Sequence, residues 1–312
     1  MNFIVIPFLL ATDIINNDDA WNNGPEYKFV VSASATSNIW NSSDESIRSI
    51  LISDLKCRPR EPNNLNCHFE NPRVARQTAK EFSISENLPP MNITYKPYIF
   101  SEANFEIGFD RDGINYYIFD KRDQLMSEFY NDIIRMLANQ LSFGTNFDGR
   151  EQHFQSKENF TMGRCPTEYR MYRSDVEGYC RDHKLNLVSL TDFELNNEEV
   201  LHIDRFRVLD ECYPSGPYYF STRYFYDVAP GNYTNKLVSS MTNMVISTDC
   251  FITETLNTAD IYDTNDRKVG SLLDRIQISL QSIDPAQDSV KPIFKPTFED
   301  VIIKMASHYG TR

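Results

Sequence analysis

The chain has 312 residues, 41% hydrophobic and 13% aromatic, which is ample for a packed core and excludes a disordered or fibrous protein. Its 44 acidic and 31 basic side chains give a formal net charge of −13, so no dominant basic surface is available for nucleic acid. One basic strip within that acidic total stays compatible with a protein or lipid partner.

"NFIVIPFLLA", residues 2–11, is too short to span a bilayer. It has the length of a secretory signal's apolar region and a small residue, Ala11, where cleavage could fall, although no Lys or Arg precedes it and Pro7 interrupts it. A buried first strand is the other reading. No later run is long and apolar enough for a membrane helix. "AWNNGPEYKFVV" follows, with Tyr27, Phe29 and Val31 alternating, which predicts a strand entered through a Gly-Pro turn. "SIRSILISDLKCRP" continues the alternation through Ile50 and Ile52, with Leu55 after a slip. Cys57 and Cys67 bracket the polar "RPREPNNLN", and a disulfide closing so small a loop is geometrically easy, contributing about 2–4 kcal/mol. Strand signals resume in "YKPYIF", "ANFEIGFD" and "INYYIFD".

Residues 122–143, "RDQLMSEFYNDIIRMLANQLSF", change period. Met126, Phe129 or Tyr130, Ile133, Leu137 and Leu141 recur at spacings of three and four, widened by Ile134, Met136 and Ala138. That breadth predicts a helix enclosed by other structure, with Gly144 closing it. Strands are predicted again in "FTMGRCPTEYRMY", "LNLVSL", "LHIDRFRVLDEC", "YYFSTRYFY", "NMVISTDCFITETL" and "RIQISLQSI". The proline-rich "DPAQDSVKPIFKPTFED" reads as an exit linker, and "FEDVIIKMASHYGTR" as the start of a helix. The expected organisation is a leader over 1–20, one mainly β domain over 21–284 with an embedded helix, and an exit segment with a truncated helical start over 285–312.

Six cysteines, Cys57, Cys67, Cys165, Cys180, Cys212 and Cys250, include no CxxC and no Cys/His cluster. Four glycosylation acceptors stand at Asn41, Asn92, Asn159 and Asn232. Together with the apolar N-terminus they predict a secreted, disulfide-bonded, extracellular glycoprotein. The five histidines are scattered, and no G-x-S-x-G, P-loop or G-x-G-x-x-G occurs. The expectation is binding rather than catalysis, with no cofactor and no metal.

Four segments together resemble the N-terminal part of the vitellogenins, in the large lipid transfer protein family. "AWNNGPEYKFVV" is similar to the family's opening W-x-x-G-x-E-Y strand, and "DQLMSEFYNDIIRMLANQLSF" to its helix. "MGRCPTEYRMY" resembles a T-G-x-C-x-x-x-Y segment through Gly163, Cys165 and Tyr169, and "IDRFRVLDECYPSGPYYF" resembles the strand that follows. The resemblance runs from Trp21 to about Ile283 and implies the N-sheet, an antiparallel β-barrel wrapped around one central α-helix. In the family that barrel leads into a helical arch and lipid-enclosing sheets, whereas a small barrel filled by its own helix has no room for cargo. The implied role is therefore a receptor- or protein-binding module, the alternative being lipid transport as part of a longer or assembled lipoprotein. Partners implied are a low-density-lipoprotein-type endocytic receptor and lipid, with the receptor strand aligning on His202–Cys212 and its two lysines on Arg205 and Arg207. The resemblance also implies a Cys165–Cys212 bridge, which leaves Cys180–Cys250 once Cys57–Cys67 is paired.

The aligned strand alternates unusually. Leu201 and Ile203 share one parity with Arg205 and Arg207, while Phe206 and Val208 take the other. A β-bulge near Asp204–Arg205 would return Phe206 and Val208 to the inner surface and turn both arginines outward. That is the expectation for a receptor-binding trio of His202, Arg205 and Arg207.

Overall fold

Alternating apolar residues dominate the chain, and strands with one apolar face bury it by pairing side by side into a sheet that closes over a common core. A computed structural model describes residues 10–12, 21–40, 46–80, 82, 93–98, 101, 103–110, 112–121, 128–145, 152–175, 185–190, 195, 199–213 and 233–301. Two long meanders and one helix emerge. The first meander comprises β2 (Pro25–Ile39), β3 (Ser46–Arg60), β4 (Asn64–Ala79), the short β5 (Lys96–Pro97), β6 (Phe105–Asp110) and β7 (Gly113–Asp120). Helix α1 (Glu128–Leu141) follows. The second comprises β8 (His153–Phe160), β9 (Gly163–Asp175), β11 (Glu199–Arg207), β12 (Thr234–Ile246), β13 (Phe251–Tyr262) and β14 (Lys268–Pro285). A last strand, β15 (Pro296–Asp300), returns to β7.

These form a 13-stranded antiparallel sheet in the order β15-β7-β6-β4-β3-β2-β14-β13-β12-β11-β9-β8, with β5 beside β4. Pairing of β14 with β2, from Gly270↔Ile39 to Pro285↔Pro25, joins the two meanders. The expected barrel takes the form of a curled sheet whose ladder ends at β15 and β8, with no strand pair joining those edges among the described residues. The curl still brings β8 to the β6–β7 hairpin. Asn159 Nδ2 donates to the Ile114 carbonyl at 2.8 Å, and Arg164 meets Asp112 at 2.7 Å.

Inside the curl lies α1, as its broad apolar stripe predicts. Ile133, Ile134, Met136, Leu137, Ala138 and Leu141 are all buried against inward residues of both meanders. Gly144, with φ +70°, turns the chain after the helix. Midway along it, Arg135 forms an ion pair with Glu299 of edge strand β15. The Tyr117 hydroxyl of β7 donates to the Arg135 carbonyl at 3.4 Å, and Gln140 reaches Thr255 of β13 at 2.6 Å.

Several expectations change. The polar "RPREPNNLN" is largely strand, because Cys57 and Cys67 are direct cross-strand partners of β3 and β4 and only a tight turn separates the two strands. The supposed exit linker ends in β15, whose one proline, Pro296, is tolerated because it opens an edge strand. "NMVISTDCFITETL" is a hairpin, its turn fastened by Ser247 N donating to Cys250 O at 2.9 Å. Strand β8 carries no strong apolar signal and is not legible as a strand. Leu10–Thr12 forms β1, paired with β10 (Leu187–Ser189); Leu10 is buried and its carbonyl accepts the Tyr27 hydroxyl at 2.7 Å. The rest of the expected leader, the start of the predicted helix at 122–127, "YYFSTRYFY" and the helical start beyond residue 301 lie outside the described residues.

Candidate functional site

Strand β11 runs between β9 and β12 with unbroken register through Asp204 and Arg205 on both sides. The expected bulge is absent there, and the parity therefore never switches: Leu201, Ile203, Arg205 and Arg207 all face inward. Both arginine side chains are 1% exposed, which overturns the outward, receptor-facing placement of Arg205 and Arg207. His202 faces the other way but is also buried, stacked on Tyr172 at 4.6 Å between ring centroids and 2.8 Å from Ser174 Oγ. Burial holds its imidazole below the ordinary value, against the opposing pull of Asp204. None of the three offers a partner an accessible side chain.

Two inward cations need compensation, because an unpaired buried charge is very costly. Glu158 of β8 supplies it. Its Oε2 lies 3.2 Å from Arg205 Nη1 and its Oε1 lies 2.5 Å from Arg207 Nε. The second positive charge is met by polar oxygens. Arg205 donates to the carbonyls of Ser142 at 2.8 Å and Asn139 at 3.0 Å, while Arg207 donates to Ser240 Oγ and Thr242 Oγ1 at 2.9 and 3.1 Å. The last turn of α1 contains no basic residue of its own. Arg205 brings a cation from another strand to those C-terminal carbonyls, where the helix dipole favours it.

The Tyr169 hydroxyl completes the cluster, lying 3.0 Å from the Phe143 carbonyl and 3.2 Å from Glu158 Oε2. Burial would raise the Glu158 carboxyl, but Arg207 and Arg205 outweigh it and hold it below the ordinary carboxylate value. Burial and the nearby carboxylate push the Tyr169 phenol well up. The cluster is closed to solvent and joins helix to sheet; its chemistry is structural. Among the described residues no group of three or more His, Cys, Asp or Glu could hold a metal ion.

The exposed counterpart lies on the outer face of β8 and β9. Lys157 and His153 alternate with the inward Glu158 and Phe154, and Arg164 and Arg170 alternate with Cys165 and Tyr169. Arg170 lies 4.9 Å from the Phe206 ring centre and directly opposite Asp204 of β11, so this outer face, which also carries Glu168, is mixed in charge and continuous with the strand singled out from the sequence. Parity counted from the inward Cys165 would have located Arg164 and Arg170. An acid on the apolar parity of Phe154 and Phe160 was the corresponding signal for Glu158.

The disulfides Cys57–Cys67 and Cys165–Cys212 are formed, joining β3 to β4 and β9 to the turn after β11. Cys250 is disulfide-bonded, and Cys180 lies outside the described residues. Of the acceptors, Asn159 is half-buried on β8, whereas Asn41, Asn92 and Asn232 lie outside the described residues.

No curated protein sequence matches the chain. A solved structure described as "lipid-protein interactions in lipovitellin" is similar in fold, with a TM-score of 0.60 and 12% sequence identity over 92% of this chain. The match spans 28% of that structure's chain. The family model for the vitellogenin N-terminal domain matches residues 21–264, most of the sheet and all of α1. The chain belongs to the vitellogenin N-terminal domain family.

Proposed function

We propose that this chain is a secreted module of the lipid-transport family that acts by binding other proteins, one of them an endocytic receptor of the low-density-lipoprotein type. The observation that carries this reading is the set of exposed cations Lys157, Arg164 and Arg170 on the outer face of adjacent strands, where Arg164 pairs with Asp112 and Glu168 and Asp204 are interspersed, in a chain of net charge −13. Acidic receptor modules suit cations held on a rigid sheet, through both steering and charge-assisted hydrogen bonds. The disulfides support an oxidising, extracellular setting.

Capture on immobilised calcium-loaded receptor modules tests the proposal. Lys157→Glu with Arg170→Glu should weaken capture about tenfold or more without moving the thermal midpoint. Undiminished capture would remove this face from the account. A second reading, lipid carriage within a larger assembly, draws on the likeness to the lipovitellin structure, of whose chain this one matches 28%. The interior of the curl is occupied by α1, which favours the protein-binding reading. Mass spectrometry of lipids co-purifying with the secreted protein separates the two, and stoichiometric lipid would favour carriage.

A further inference from the structure

On the outer face of the first meander, one tyrosine lies flat on the sheet. Gly108 of β6 stands directly opposite Tyr116 of β7, and Tyr116 opposite Asp300 of β15, so the three positions share that face. A Cβ at Gly108 would overlap the Tyr116 ring, meeting Cζ and both Cε atoms at nearly equal distances. The phenol ring therefore covers the glycine with one face and turns the other outward, and the lack of a side chain at 108 is what allows it. The Tyr116 hydroxyl donates to Asn64 Oδ1 at 3.1 Å, which holds the ring in place.

Phe298 of β15 stands beside this platform. The two ring centres are 5.8 Å apart with planes inclined at 53°, so the rings form a corner rather than a stack. Phe298 is 67% exposed. Direct cross-strand partners hold their Cβ atoms about 5 Å apart, which puts the exposed Asp300 on a third side of Tyr116. Nearby cations are engaged or distant. Arg60 forms an ion pair with Glu106, whose carboxylate also accepts from Asn64 and Asn66. Lys295 lies 5.3 Å from the Phe294 ring centre, and both it and Lys121 flank the end of the β7–β15 ladder opposite to Asp300. The β6–β7 turn, Asp110-Arg111-Asp112, adds two acids and one base, with Arg164 paired to Asp112.

Aromatic faces attract cations through their quadrupoles, and an aromatic corner suits a quaternary ammonium, which has no N–H that needs an acceptor. We propose that Tyr116, Phe298 and Asp300 form a binding site for a trimethylammonium group, as carried by choline and phosphocholine. The ammonium rests on the outward face of Tyr116, with Phe298 as side wall and Asp300 as counter-ion. The inference goes beyond the protein-binding reading and uses neither β8 nor β9.

The probes are tetramethylammonium, choline and phosphocholine, titrated against the full chain by calorimetry at constant ionic strength. Millimolar binding is expected. Phe298→Ala and Asp300→Asn should each weaken it about fivefold, whereas Tyr116→Phe, which keeps the ring, should retain it. An unchanged thermal midpoint shows that these surface substitutions leave the fold intact. No binding of any probe, binding indifferent to Phe298→Ala, or ammonium bound as tightly as tetramethylammonium would each overturn the proposal. Capture of phosphatidylcholine vesicles in preference to phosphatidylethanolamine ones would uphold the site and identify a lipid headgroup as its source. Phosphocholine binding without vesicle capture would uphold it with a soluble source. Receptor capture should be unchanged by Phe298→Ala, so the failure of either reading leaves the other standing.

Discussion

Arg205 shows how a charge can belong to a core. Its side chain extends the inward row begun by Leu201 and Ile203, and its guanidinium takes the place of the capping cation that the last turn of α1 lacks. Glu158 is the shared counter-ion for Arg205 and Arg207, so removing its charge leaves two buried cations facing neutral oxygens. Glu158→Gln is expected to destabilise the fold by about 3–5 kcal/mol, the usual consequence of breaking a buried pair, measured by urea unfolding at neutral pH. Because the arginines hold the folded carboxyl below its ordinary value of 4.5, Glu158 binds its proton less readily folded than unfolded. Its contribution is complete above that ordinary value and is lost as pH falls through the lower folded one. The gap between wild type and Glu158→Gln should therefore close on acidification. A gap independent of pH would mean that packing, not charge, sets the effect.

At the scale of elements, the two disulfides constrain different spans. Cys57–Cys67 closes a sequence separation of 10 between neighbouring strands, and Cys165–Cys212 closes one of 47 that includes all of β11. Loop-closure entropy assigns about 3 kcal/mol to the shorter and about 4 kcal/mol to the longer. Paired Cys→Ser substitutions should follow that order in unfolding midpoint. The reverse order would show that the β3–β4 hairpin draws on its bridge for native geometry as well as chain entropy. Legibility also varied by element. Helix α1 was visible because six buried residues keep one broad face, and β14 because Ile276, Ile278 and Leu280 alternate. Strand β8 was not, since its inward residues include Ser156 and Glu158, whose partners come from β9, β11 and the loop after α1.

For the whole molecule, the helix bridges the edges of an open sheet. Arg135 binds Glu299 on β15, and the carbonyls of Asn139 and Ser142 bind Arg205, which in turn holds Glu158 on β8. Both edge strands thus lean on α1. A chain ending at Pro285 loses β15 and should show a lower thermal midpoint and greater binding of a hydrophobic dye than the full chain, because β7 and the Arg135 side of α1 become uncovered. An unchanged midpoint would return residues 286–301 to the status of a linker.

Period and punctuation by themselves determined much of this protein: a mainly β chain, an enclosed helix, a Cys57–Cys67 neighbourhood and a family resemblance carried by four segments in order. These are local properties, written in spacings of two, three and four residues. What only the tertiary structure decided was where a polar side chain on an apolar parity goes. From "LHIDRFRVLDEC" alone, two arginines following two aliphatics are as consistent with a bulge and an exposed basic strip as with an uninterrupted strand. The choice depends on whether a counter-ion lies across the fold, and Glu158, 47 residues upstream of Arg205, supplies it. Such long-range compensation leaves no period in the sequence, which is why the buried cluster and the outer-face cations of β8 and β9 appear only once the sheet has curled around its helix.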